Sequence, residues 1–182
     1  PLLPPGELEP HAQGLARIAS ALPSTADSLV SSHNDPNPRN LLFDGERLWL
    51  VDWELASRND PLVDVAILTT EFAQSPELED VLIAAAFGRA PDRRFRARLG
   101  LVRLLTRLFY GCVVLESLRG GPAPGPPHLE PLTPAGFRNA VADGRLRSGS
   151  PQVAYAFARM SLRAFLDGIA APEFTEAMEV AR

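Results

Sequence analysis

The stretch HNDPNPRN, residues 33–40, sets Asp35 two residues after His33 and Asn40 five residues after Asp35. A second carboxylate, Asp52, follows in VDWE. One carboxylate that accepts or orients a hydroxyl proton, with an amide and a carboxylate oxygen for a cation, is the set that phosphoryl transfer requires. That reaction needs little covalent help from protein; positioning and neutralisation of phosphate charge carry it. Mg²⁺ prefers hard oxygen donors and takes only one or two from protein. With Asn40 and Asp52 as metal ligands, Asp35 stays outside the coordination sphere as the base. Each piece alone has an ordinary explanation, since the Asp of an H-x-D is usually a turn former and Asp44-Gly45 needs only a hairpin. Their order and intervening lengths together favour a site.

The elements that must position these groups are legible nearby. Pro36 and Pro38 bias Asp35 and Asn37 away from helix. If residues 33–35 run extended, His33 and Asp35 project to the same side. DSLVSSHND reads as a short strand entering the loop. NLLF and LWLVDW, separated by DGER, read as a β-hairpin. Both runs are apolar at nearly every position, so the hairpin is expected to be covered on both faces.

The rest is helical. PHAQGLARIASAL repeats apolar residues at helical spacing up to Pro23. DPLVDVAILTTEFA opens on an Asp-Pro pair suited to a helix start, and SPELEDVLIAAAFG runs from a Ser75 cap through Pro76 to Gly88. Residues 92–119 give the longest pattern, with a stripe through Phe95, Leu99, Val102, Leu105, Phe109, Cys112 and Leu115. TPAGFRNAVADG, residues 151–168 and residues 173–181 complete the set. The fold class is α+β, mostly α. We read residues 1–182 as one domain: loop and hairpin at 31–66, helical body at 61–119 and 151–182, and a Pro/Gly-rich connection at 120–150.

Composition narrows the function. The 182 residues are 46% hydrophobic and 22% charged, with net charge −4, so nothing calls for nucleic acid or an anionic membrane as partner. Cys112 is the single cysteine, which excludes an intramolecular disulfide and a cysteine-based metal site and favours a reducing compartment. The run LVRLLTRLFYGCVVL is too short to span a bilayer, no secretory signal opens the chain, and a cytoplasmic protein is expected. All 18 basic residues are arginine, and no methionine precedes Met160. The expectation is a C-terminal piece of a longer protein.

SSHNDPNPRNLLFDGERLWLVDWELASRNDPLVDVA, residues 31–66, resembles the signature segment of the aminoglycoside phosphotransferase and choline kinase superfamily. Those proteins have a protein-kinase-like fold and phosphorylate small-molecule hydroxyls with ATP. The resemblance implies Asp35 as catalytic base and Asn40 and Asp52 as Mg²⁺ ligands serving the Mg²⁺–ATP cofactor. It gives His33 and Asp64 structural roles supporting the catalytic loop. It implies a C-terminal lobe only, because this chain has no lysine and no glycine-rich strand–turn–strand before the motif. The nucleotide-clamping N-terminal lobe is then the missing partner, and these 182 residues alone are expected to have little kinase activity.

The motif variants HND, DWE and NDP are more reminiscent of choline or ethanolamine kinase-like members than of antibiotic-resistance enzymes. A quaternary ammonium wants aromatic faces, with Trp53, Tyr110 and Tyr155 as candidates, though such residues mostly pack in cores. Glu54 could face a cation. A pseudokinase-like interaction module would have no need of Asp35, Asn40 and Asp52 together. A His33–Asp35 metal hydrolase lacks further histidines, since His11 opens a helix and His128 belongs to a proline-rich loop.

Overall fold

Four helix starts among the described residues are made by short polar side chains followed by proline. The computed structural model describes residues 2–4, 6–22, 26–73, 75–121, 124 and 131–182. Ser75 Oγ accepts from the Leu78 N–H, Thr133 Oγ1 from Gly136 and Ser150 Oγ from Val153, each with proline next in sequence. Such caps satisfy amides that the first turn leaves without partners. They open α3 (Pro76–Phe87), α5 (Pro134–Ala142) and α6 (Pro151–Ala170). At α2 (Leu62–Phe72) the Asp60 carboxylate does the same, accepting from Leu62 N–H at 2.9 Å. Gly88 ends α3 at φ 67, a left-handed conformation that glycine adopts without Cβ cost. The remaining α-helices among the described residues are α1 (Glu9–Ala21), α4 (Arg93–Ser117) and α7 (Pro172–Ala181).

Among the described residues, four three-residue strands form two antiparallel ladders. β1 (Val30–Ser32) pairs with β4 (Ser57–Asn59), and β2 (Leu41–Phe43) with β3 (Leu48–Leu50). Strand β4 escapes sequence reading because Ser-Arg-Asn carries no apolar alternation. The predicted β2–β3 hairpin is present, with Gly45 at φ 103 in its turn, but it is not covered on both faces. Leu42, Phe43, Leu48 and Trp49 are 51, 69, 65 and 50% exposed. Apolar content records what would be buried if another element lay against it; it does not supply that element.

The chain divides into two compact units, residues 1–18 with 107–174 and residues 19–106 with 175–182. In the second, Leu62, Val65 and Ala66 of α2 pack with Ile83 of α3 and Phe95, Leu99 and Val102 of α4. That cluster anchors the start of α2 beneath the polar loop. In the first, α1 meets α6 so closely that a Cβ on Gly14 would lie 2.8 Å from Phe165 and Ile169, and one on Gly111 of α4 would lie 2.8 Å from Leu162. The buried stripe of α4 differs from expectation beyond Val102. Leu115 is buried as expected, but Leu104 and Leu108 are buried as well, whereas Phe109 is 45% exposed and Cys112 is exposed. The helix is apolar on several sides, so spacing alone did not select the packed one. Part of the 120–150 connection forms α5, while residues 122–123 and 125–130, His128 among them, lie outside the described residues. Among the described residues, no helix is long and apolar enough to cross a membrane.

Candidate active site

Residues 33–64 form a polar knot within the second unit. Its anchor is Asp64, in the first turn of α2. Its two oxygens accept the backbone N–H of His33 at 2.8 Å and of Asn34 at 2.7 Å. Charge-assisted bonds of this length are about twice as strong as neutral ones, so α2 holds the loop by its main chain.

The His33–Asp35 segment is not extended as expected. Asn34 stands at φ 68, a left-handed conformation asparagine tolerates better than most residues. Pro36 restricts only Asp35, the residue before it, and leaves Asn34 to turn. The consequence is a different use of His33. Its ring is 2% exposed, Nε2 donates to Val51 O at 2.9 Å, and Nδ1 accepts from the Asp35 backbone N–H at 3.2 Å. Those two partners fix the tautomer, because Val51 O can only accept and Asp35 N–H can only donate. The ring also packs against exposed Trp53, with centroids 4.7 Å apart. His33 ties the loop to the end of the hairpin.

Asp35 and Asn40 meet directly. Asn40 Nδ2 donates to Asp35 O at 2.9 Å and to Asp35 Oδ2 at 3.0 Å, while Asn37 Nδ2 donates to Asp35 Oδ1 at 2.8 Å. Asn37 Oδ1 also caps the short 3₁₀ turn Pro38–Asn40 through Arg39 N–H. Both Asp35 groups facing Asn40 are acceptors, so the Asn40 amide nitrogen must face Asp35 and its side-chain oxygen is left over as a donor for a cation. Asn40 itself is buried, and its backbone carbonyl accepts Val51 N–H at 2.9 Å. Asp52 follows Val51 directly. It is exposed, left-handed at φ 65, and makes no capping bond to the 3₁₀ turn Trp53–Leu55 after it. Among the described residues, Asn34 and Asp52 are the non-glycine residues at positive φ. Such conformations cost of order 1–3 kcal/mol each and persist where surrounding bonds over-determine them.

No cluster of three or more His, Cys, Asp or Glu able to hold a metal occurs among the described residues. An amide oxygen with one carboxylate, both hard donors, matches a cation that keeps water or phosphate oxygens for its other positions. At the far end of the hairpin, Asp44 accepts Trp49 Nε1–H at 2.7 Å and the backbone N–H of Arg47 and Glu46 at 2.8 and 2.9 Å. These bonds, the indole first, hold its carboxyl down at about 2.

Sequence reasoning passed over Asn34 and Asn59. Asn34 Nδ2 donates to Leu55 O at 2.8 Å and Ser57 Oγ at 2.9 Å, and Asn34 Oδ1 accepts from Asn59 Nδ2 at 2.8 Å. The available signal was an asparagine in a turn, a residue type suited to positive φ. The three aromatic candidates have other partners. Trp53 Nε1 donates to Leu50 O, Tyr110 packs edge-on against Phe109 and Phe157, and buried Tyr155 donates its hydroxyl to Leu2 O. Glu54 is exposed. His11 is buried between the Glu7 and Leu162 carbonyls.

A catalytic-type loop, a short hairpin and a helical body define the class to which kinase-like phosphotransferases belong. The model of the Phosphotransferase enzyme family (APH) matches residues 2–99, just over half of the chain, and the chain belongs to that family. In fold it is similar to a choline/ethanolamine kinase family protein from Mesorhizobium loti, with a TM-score of 0.65 and 24% identity over 99% of this chain and 52% of that one. Protein LicA from Haemophilus influenzae is 43% identical over 51 residues, which is 28% of this chain and 19% of LicA in strain Rd. A second LicA of that species matches equally, over 15% of its length. The chain thus spans about half of the solved relative and a smaller share of the curated ones.

Proposed function

We propose that this chain carries the catalytic base and metal ligands of an ATP- and Mg²⁺-dependent phosphotransferase acting on a small-molecule hydroxyl. The observation that carries the reading is the Asn40 side chain. Its nitrogen is committed to Asp35 and its oxygen is left for a cation, beside the strand that delivers Asp52. In this reading Asp35 accepts the hydroxyl proton of the acceptor, and Asn37 and Asn40 orient its carboxylate. Asn40 and Asp52 would hold Mg²⁺, which supplies neutralisation of phosphate charge when bound. His33 and Asp64 keep the loop in place. An amino alcohol such as choline or ethanolamine is the acceptor we favour, supported by the choline/ethanolamine kinase family of the fold relative and by the HND motif; an aminoglycoside is the alternative.

The exposed apolar side chains of the β2–β3 hairpin support a further part of the proposal. A nucleotide-clamping lobe, supplied by the same protein, covers that ribbon and provides the lysine this chain lacks. The test uses the full-length protein with ATP, with and without Mg²⁺, against choline, ethanolamine, thiamine and aminoglycosides. Asp35→Ala should lower turnover by roughly 10²–10⁴-fold, the usual worth of a general base, and Asp52→Ala should weaken use of Mg²⁺–ATP. Parent-level turnover by both variants would overturn the assignment, as would full-length protein inert toward the whole panel.

A further inference from the structure

We infer that Asn34 is a positioning residue for Asp35, acting as a brace between the base-bearing loop and the segment that follows Asp52. Its backbone and its amide contribute separately. The left-handed backbone at φ 68 turns the chain between buried His33 and half-buried Asp35, whose N–H reaches back to the His33 ring at 3.2 Å. The amide then reaches across to three groups in residues 55–59: Leu55 O at 2.8 Å, Ser57 Oγ at 2.9 Å and Asn59 Nδ2 at 2.8 Å. Leu55 O can only accept, so the amide orientation is fixed and Oδ1 faces Asn59. Asn59 Oδ1 in turn accepts Asp60 N–H at 2.9 Å, and Asp60 is the residue whose carboxylate opens α2 and pairs with Arg98 at 3.0 Å. Asp64 grips the same loop residue through its N–H at 2.7 Å. Asn34 is therefore held on its backbone by α2 and on its side chain by the 55–59 segment. The catalytic half of this inference rests on the phosphotransferase reading above; the mechanical half does not.

Glycine separates the two contributions, because it adopts the left-handed backbone freely and lacks the amide. In this chain, native-state hydrogen exchange of Asn34→Gly should show Asp35, Asn37 and Ser57–Asn59 amides exchanging roughly 10- to 100-fold faster, the equivalent of one to three lost hydrogen bonds. Amides of Leu99 and Val102 in α4 should exchange at the parent rate. Unchanged exchange in the loop would overturn the brace, and so would an equal acceleration in α4, which would mark a general loss of stability. In full-length protein, Asn34→Gly should lower kcat roughly tenfold, about one hydrogen-bonded brace to two, with KM for the acceptor unchanged. A loosened loop with parent kcat would overturn the positioning role. A full-length parent without phosphotransferase activity would instead remove the proposed function, leaving the exchange result to decide the brace alone.

Discussion

Removing the Asp64 carboxylate tests whether α2 holds the loop by its main chain. Asp64→Ala deletes two charge-assisted bonds, at 2.8 and 2.7 Å, and leaves the His33 and Asn34 amides without partners. Each such bond contributes about 1.5–3 kcal/mol. Asp64 is half-buried, so the lower end applies and the pair amounts to about 3 kcal/mol. For a chain of this size that is a fall in Tm of roughly 6–12 °C, or a urea midpoint lower by about 1.5 M at an m-value near 2 kcal/mol/M. Asp64→Asn is the sharper variant. Its single carbonyl can accept one amide, and its NH₂ then confronts the other N–H, so at least half of the loss should remain. Urea unfolding followed by circular dichroism reads both. Asp64→Asn unfolding at the parent midpoint would refute the two-bond anchor.

Other consequences follow from the hairpin and the helices. Asp44 ionises at about 2 rather than 3.8, so its hairpin bonds contribute fully above the ordinary carboxylate range and are lost as pH falls through about 2. The Trp49 indole proton shift should titrate at that midpoint, and Asp44→Asn should abolish the titration. Gly111→Ala forces a Cβ to 2.8 Å from buried Leu162 and 3.3 Å from the Ala158 carbonyl; overpacking of this kind costs about 1–3 kcal/mol. Gly100→Ala, with nothing within 4 Å of its Cβ in the same helix, should instead stabilise by about 0.5–1 kcal/mol. Thermal melts of the pair should move in opposite directions.

What the sequence made legible was local. Asp60-Pro61 and Ser75-Pro76 announced two helix starts, and Asp44-Gly45 announced the hairpin, because a cap or a tight turn is decided by a few adjacent residues. Strand β4 was hidden because its pairing with β1 is a long-range backbone matter that Ser57, Arg58 and Asn59 do not signal. Asn34 was hidden for a related reason. The sequence shows a residue permitted to turn left-handed, whereas its partners Leu55, Ser57 and Asn59 come together only after β4 has paired. The openness of Phe43 and Leu48 was misread since hydrophobicity does not say which neighbour exists. Of the proposed site, the spacing of Asp35 and Asn40 was visible; the direction of the Asn40 amide, on which its metal role rests, was not.

Asp64 grips amides of positions 33 and 34, groups that every residue except proline possesses. The clamp itself reads no side chain, so what ties residue identity at 33 and 34 is the imidazole link to Val51 and the amide link to residues 55–59. Mooring and residue identity are thus set by separate bonds: replacing either side chain would slacken the loop's sideways ties while its grip on the helix stayed put.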